Sequence, residues 1–175
     1  MKKVKILIII ILFIISSAVH FVYNFFPGFI TSIFFPVNES IFEHMKIIYT
    51  SIMLSSIIEY FIYKYKNIRV NNFILSIPIV SIIGIVVYLI IYLTIDKFIS
   101  HNLFISILLL YLVFIFCEYI SYKILNYPKI NNSNKIGLIL IILSYFIFWY
   151  FTYYPEKNYI FLDTTTNSYS LKKLY

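Results

Sequence analysis

The chain has 175 residues, of which 62% are hydrophobic and only 12% charged, and its mean hydropathy is +0.91. Soluble domains average roughly 25% charged residues, so this composition excludes a water-soluble globular fold. The formal net charge of +7 comes from short basic clusters between apolar runs. Because these clusters form no continuous basic face, they argue against a nucleic-acid partner. We therefore expect a single-domain integral membrane protein whose main partner is the lipid bilayer.

Five apolar runs are each close to the roughly 20 residues that a membrane-spanning helix needs. They cover residues 4–26, 41–63, 73–94, 103–125 and 136–153. Turn-forming residues such as Pro27, Gly28 and Pro128 separate them. The pattern predicts an all-α, polytopic transmembrane helix bundle over residues 1–153, followed by a tail over residues 154–175.

The first run also has features of a secretory signal peptide. It begins with a basic segment, Lys2 to Lys5, and contains Ser16 and Ala18 at a position where cleavage sites occur. However, its apolar character continues to Phe26, beyond the end of a signal-peptide core. We favour a retained first helix, with cleavage as the alternative.

Basic residues predict the direction in which the bundle crosses the membrane. One side collects nine of them: Lys2, Lys3, Lys5, Lys64, Lys66, Arg69, Lys123, Lys129 and Lys135. Positively charged segments are retained in the cytoplasm, so this side is expected to be cytoplasmic. The sequence thus predicts a plasma-membrane protein with its N-terminus inside and its C-terminal tail outside.

The predicted outer face contains all three histidines and most of the acidic residues. The candidate site there consists of His20, Asn38, Glu39, Glu43, His44 and His101. Glu43 and His44 are the candidate catalytic residues, and the others are candidate binding residues. Imidazole and carboxylate groups bind divalent metals and also move protons. The identity of any cofactor stays unknown from sequence, with a divalent metal as one option.

The same segment also has the composition of an ordinary helix start. Ser40 and Glu43 fit a capping box, and Asn38 is a favourable N-cap residue. Glu39 and Glu43 would share a face if both were helical, with His44 turned about 100° away. The spacing lacks the H-E-x-x-H pattern of helical zinc sites. Capping alone and capping combined with a functional site both stay open.

Two acidic residues, Glu59 and Glu118, lie in runs predicted to span the membrane. They open similar hexapeptides, E-Y-F-I-Y-K and E-Y-I-S-Y-K, which end at Lys64 and Lys123. Five residues of helix place each glutamate about 7 Å from its lysine. Intramembrane acidic residues suggest function by default, although tyrosine and lysine are typical of the membrane interface. We expect interface anchoring, with a paired proton site or an old duplication as alternatives.

The tail has two short apolar stretches around a polar segment. Asp163 and Asn167 are its turn-capable residues. This pattern predicts a small hairpin over the outer mouth of the bundle, with a disordered terminus as the alternative.

The run V-N-E-S-I-F-E-H-M-K at residues 37–46 resembles the signature of an uncharacterised family of small multipass bacterial membrane proteins. Members of that family have a V-N-E-S-x-x-E-H core after a histidine-containing first helix, and a tail containing proline and aspartate. His20, Pro155 and Asp163 match these features. The tail departs from the pattern at Glu156, Lys157 and Asn167. The resemblance implies the same helical architecture and brings no known activity.

Four functions are compatible with these observations, and whether the protein is an enzyme stays open. The first is a membrane protein of unassigned activity with an outer polar site, and the second is a metal-dependent hydrolase with Glu43 as general base. The third is a proton- or cation-coupled transporter or channel subunit that uses Glu59 and Glu118. With about five helices, such a transporter would need a homo-oligomer or a partner membrane subunit. The fourth is a non-catalytic accessory subunit.

Overall fold

The computed structural model describes residues 1–96 and 103–169. Its six helices are α1 (Lys2–Phe25), α2 (Phe29–Phe34), α3 (Ile41–Tyr65), α4 (Phe73–Asp96), α5 (Leu103–Asn126) and α6 (Ser133–Tyr153). Every helix except α2 is long and apolar enough to cross a membrane. The predicted bundle of five spanning helices is therefore confirmed.

The short helix α2 was not predicted, because six residues between Gly28 and Phe35 are too few to show a period. Its last turn is completed by side chains of α3. The Lys46 ammonium donates to the Ser32 carbonyl at 2.7 Å, and the Thr50 hydroxyl donates to the Phe34 carbonyl at 2.6 Å. A helix end leaves carbonyls without intrahelical partners. These two contacts therefore fasten α2 to the start of α3.

Helix α3 is the most buried of the spanning helices and the least apolar. It packs against α1 and α4. Small side chains such as Ser51 and Ser55 are buried along it, which allows neighbouring helices to approach closely. Helix α3 also carries Glu43, Lys46 and Glu59, all of which are buried. It therefore positions the polar groups at both ends of the bundle.

Helices α4 and α6 are in direct backbone contact at Gly137. A Cβ atom at this position would lie 2.6 Å from the Ile74 carbonyl oxygen. Pro78 lies inside α4 and has no N–H, so the Ile74 carbonyl lacks its usual helical donor four residues later. The absence of a side chain at Gly137 lets α6 pack onto this turn.

The outer surface of the bundle is covered with large apolar side chains. Ile14, Ile90 and Ile139 lie on three different helices and are exposed by 63%, 62% and 63%. A soluble monomer rarely exposes apolar patches that extend over its whole circumference. This surface is suited to lipid acyl chains, with the backbone hydrogen bonds satisfied inside each helix.

The tail folds back onto the start of α3. Its Ile160 carbonyl accepts a hydrogen bond of 2.9 Å from the Phe42 amide, and the Phe42 and Phe161 rings are 4.7 Å apart. An antiparallel bridge joins Asp163 and Ser168 across a tight turn. We call the end of the bundle that contains this segment the tail end. The opposite end, where the nine basic residues cluster, is the basic end.

Candidate functional site

Three of the predicted site residues converge at the tail end. His20 comes from the last turns of α1, Glu39 from the loop before α3, and His44 from the first turn of α3. The Glu39 carboxylate lies between the imidazoles, with Oε1 at 3.7 Å from His20 Nε2 and Oε2 at 3.4 Å from His44 Nε2. One donor atom from each residue can be chosen so that all three lie within 4.8 Å of one another. We call this group the His–Glu–His cluster.

The orientation of His44 is fixed by the backbone of its own helix. Its Nδ1 lies 2.8 Å from the Ser40 carbonyl oxygen. A carbonyl can only accept, so Nδ1 carries the proton in this contact and the lone pair of the neutral ring lies on Nε2. A histidine that ligates a metal usually has its other nitrogen held in this manner.

The spacing of the three donors is close to that of a metal site. Ligands at about 2.0–2.1 Å from a tetrahedral zinc ion lie about 3.3–3.4 Å from one another. The two measured contacts of 3.4 and 3.7 Å are near this value, and both exceed the usual length of an N–H···O hydrogen bond. One donor atom from each residue lies within 4.8 Å of the others, so the set would have to contract to hold one ion.

The His–Glu–His cluster forms part of the wall of a cavity of about 340 Å³. The rest of the wall is mixed: Tyr88 and Leu162 are apolar surfaces, and Thr164 and Thr165 contribute hydroxyl groups. Among the described residues lining this cavity, Glu39 is the only carboxylate. Glu39 and the two histidines are partly exposed, by 43%, 26% and 29%. A solute can therefore reach the cluster from the cavity.

Glu43, the other candidate catalytic residue, lies in a separate buried group. Its carboxylate is 2.7 Å from the Lys46 ammonium and accepts hydrogen bonds from the Val37 amide at 3.0 Å and the Thr152 hydroxyl at 2.9 Å. Glu43 is 2% exposed and Lys46 is fully buried. Glu43 therefore faces α6 rather than the cavity. The i, i+3 spacing of Glu43 and Lys46 was the sequence signal for this pair.

The separation of Glu39 from Glu43 follows from where α3 begins. Ser40 is the N-cap and accepts from the Glu43 amide at 3.3 Å, as the capping box predicts. Glu39 precedes the cap and is not helical, so the two carboxylates do not share a helical face. The side-chain oxygen of Asn38 accepts a hydrogen bond of 2.9 Å from the Ser40 amide. This oxygen is therefore not directed at the His–Glu–His cluster. His101 lies outside the described residues.

The two intramembrane glutamates meet at the basic end. The Lys5 ammonium lies 2.6 Å from Glu59 Oε1 and 2.8 Å from Glu118 Oε2, and all three side chains are buried. The expectation that both glutamates anchor the interface is wrong, because they face the interior of the bundle. From the sequence, Lys5 indicates only the orientation of α1. Its position within an apolar run was the feature that could have identified it as a partner.

Asp163 holds the tail turn beside the cavity. Its carboxylate accepts hydrogen bonds from the Thr165 amide at 2.8 Å and from the hydroxyls of Thr165 and Thr166, both at 2.7 Å. Burial acts to raise the pKa of Asp163, but these hydrogen bonds outweigh burial and hold the pKa below its usual value. Asn167 adopts the left-handed conformation, with φ at 51°, that the turn requires.

The apolar outer surface, the five spanning helices and the buried charge pairs together define a multi-pass helical membrane protein. The chain belongs to a family of unknown function, DUF6512, which it matches over residues 1–171. Comparisons with curated proteins and with solved structures found no match. Membership confirms the resemblance to an uncharacterised family and assigns no activity.

Proposed function

We propose that this protein binds a divalent transition metal through His20, Glu39 and His44 at the extracytoplasmic face of the plasma membrane. The convergence of the three donors within 4.8 Å carries this proposal. His20 comes from α1, whereas Glu39 and His44 lie five residues apart at the start of α3, so the meeting of all three depends on the packing of α1 against α3. The outward position rests on the predicted orientation, in which the basic end is cytoplasmic.

The donor set favours a metal of the zinc type. Two imidazoles and one carboxylate suit borderline ions, whereas calcium and magnesium prefer oxygen ligands. Three protein ligands leave a fourth position open, which is the arrangement of catalytic rather than structural zinc sites. The adjoining cavity of about 340 Å³ gives a substrate access to that position.

Hydrolysis is the reaction class that this arrangement supports best. A zinc-type ion polarises a bound carbonyl or phosphoryl group and makes water more acidic. The general-base role expected of Glu43 has no support from its position, because Lys46 and Thr152 hold its carboxylate away from the cavity. Glu39 is placed to act either as a ligand or as a proton acceptor.

Cobalt titration of the purified full-length protein in detergent tests the metal proposal. We expect one Co²⁺ per chain, with the visible absorption of a tetrahedral site. His20→Gln, Glu39→Gln and His44→Gln should each raise the Kd by about 100-fold or more, because even second-shell changes cost about 10–100-fold. The control, Glu156→Gln, alters an exposed carboxylate in the tail and should leave the Kd unchanged.

The metal proposal fails if the wild-type protein binds no cobalt or zinc. It also fails if binding is equal in the wild type and the two histidine variants. If metal binding is confirmed, loss of hydrolysis on zinc removal and its return on zinc addition would support the reaction class. A library of ester, amide and phosphoester probes provides the substrates for that assay.

A further inference from the structure

A second polar centre lies at the basic end, away from the proposed metal site. Lys5 of α1, Glu59 of α3 and Glu118 of α5 bring charged groups from three helices into contact. The Lys5 ammonium also donates to the Ser121 hydroxyl at 2.6 Å. The ammonium thus has three oxygen atoms within 2.8 Å. The three charged residues are only 5%, 3% and 4% exposed.

The charges in this centre do not balance if every group is ionised. Two carboxylates and one ammonium leave one buried negative charge. The other lysines near this end do not neutralise it, because Lys2, Lys3, Lys64 and Lys123 are all exposed. Tyr63 and Cys117 lie beside the centre, but a phenol and a thiol cannot supply a positive charge. An uncompensated buried charge costs several kcal/mol, so the centre requires one further positive charge.

If the further positive charge is a proton, the contacts of the two carboxylates indicate which glutamate carries it. Glu59 Oε1 accepts from the Tyr63 hydroxyl at 2.7 Å in addition to contacting Lys5. Glu59 thus has two polar side chains directed at one carboxylate oxygen. The described residues provide no hydroxyl donor to the Glu118 carboxylate, whose Oε2 contacts only the Lys5 ammonium. Glu118 is therefore the member of the pair that is less well stabilised as an anion.

We propose that Lys5, Glu59 and Glu118 form a proton-binding centre in which Glu118 carries one exchangeable proton at neutral pH. The released proton passes to the aqueous phase at the basic end, about 7 Å along the helix beyond Glu118, where Lys123 marks the end of the span. Two carboxylates that share one site hold a proton between them, because they cannot both ionise without a penalty. The centre does not depend on the proposed metal site, since its three residues lie at the opposite end of the bundle.

Infrared spectroscopy of the full-length protein in lipid nanodiscs tests this proposal by counting protonated carboxyl groups. The carbonyl stretch of a carboxylic acid is separate from the carboxylate bands and shifts in D₂O. Spectra would be recorded from about pH 5 to about pH 9, above the value of about 4.3 at which an ordinary glutamate titrates. We expect the wild type to show one protonated carboxyl group per chain at pH 7.

Charge balance predicts a different count for each variant. Glu118→Gln and Glu59→Gln should each abolish the signal, because one remaining carboxylate then balances one ammonium. Lys5→Met should double the signal at pH 7, since both carboxylates then need a proton. Glu156→Gln is the control and should leave the signal unchanged, because Glu156 is exposed in the tail. The amide bands in the same spectra report whether each variant keeps its helices.

The proposal is overturned if the wild type shows no protonated carboxyl group over this pH range, which would indicate that both carboxylates are ionised. It is also overturned if the signal persists in both glutamine variants. If Lys5→Met does not fold, the wild type and the two glutamine variants still decide the question. Because the measurement uses metal-free protein, its result is independent of the cobalt titration.

Discussion

Replacing Glu43 by glutamine separates a structural role of this residue from a catalytic one. Glu43→Gln keeps the backbone hydrogen bond from its own amide to Ser40, so the cap of α3 is retained. It removes the negative charge that lies 2.7 Å from Lys46. Lys46 is fully buried and would keep only neutral partners, the Ser32 carbonyl and the Thr152 hydroxyl.

The expected cost follows from the burial of this pair. Removing one partner of a buried ion pair destabilises a protein by about 3–5 kcal/mol, because the other charge is left unpaired. The loss of a helix-capping interaction alone would cost only about 1 kcal/mol. Since the cap survives the substitution, we expect a loss of about 3–5 kcal/mol in the free energy of unfolding.

A double-mutant cycle measures this coupling. Unfolding by sodium dodecyl sulfate in mixed micelles would be followed by circular dichroism for Glu43→Gln, Lys46→Met and the double variant. We expect the double variant to recover most of the stability that either single variant loses, because no unpaired charge remains. A loss below about 1 kcal/mol for Glu43→Gln, or additive losses in the double variant, would refute this reasoning.

Two further predictions concern backbone packing and the tail. Gly137→Ala places a Cβ atom 2.6 Å from the Ile74 carbonyl oxygen and should lower stability by about 1–3 kcal/mol, as overpacking does. Gly28→Ala is the matched control for a melting-temperature comparison, because its nearest contact would be an ordinary 3.6 Å and its backbone is extended. The lowered pKa of Asp163 makes the tail turn stable above the ordinary value of about 3.9 and progressively weaker as pH falls through the folded-state pKa. The protection factor of the Thr165 amide, which compares its exchange rate with the intrinsic rate at the same pH, should therefore fall in acid. Asp163→Asn should abolish that pH dependence, and an unchanged protection factor in acid would contradict the prediction.

The spanning helices were predictable because each is a long apolar run, a property that does not depend on neighbouring segments. The run predicted at residues 73–94 corresponds to α4, Phe73–Asp96, and the run at 136–153 to α6, Ser133–Tyr153. The predicted and observed bounds differ by a few residues at the helix ends, where polar and apolar residues are mixed. Helix α2 has no such signal, since its six residues are held by contacts with α3 rather than by their own propensity.

The candidate site was predictable only in part. Charge placement assigned His20, Glu39 and His44 to the same membrane face, but their convergence depends on how α1 packs against α3. The separation of Glu43 depends on one detail, the start of α3 at Ile41. At the other end, the meeting of Glu59 with Glu118 requires the contacts of α1 with both α3 and α5. No spacing along the chain encodes these contacts.

The low hydrophobicity of α3 has a consequence for the biogenesis of the protein. Charged residues in a spanning helix oppose its transfer from the translocon into lipid, by up to about 2.5–3.5 kcal/mol each at the helix centre and by less toward its ends. Helix α3 carries Glu43, Lys46 and Glu59. Glu43 and Lys46 pair with each other within the helix, whereas the partner of Glu59 is Lys5 of α1. Lys5 is synthesised before Glu59 and already lies on α1 when α3 emerges. We therefore expect α1 to assist the membrane insertion of α3 through the contact between Lys5 and Glu59.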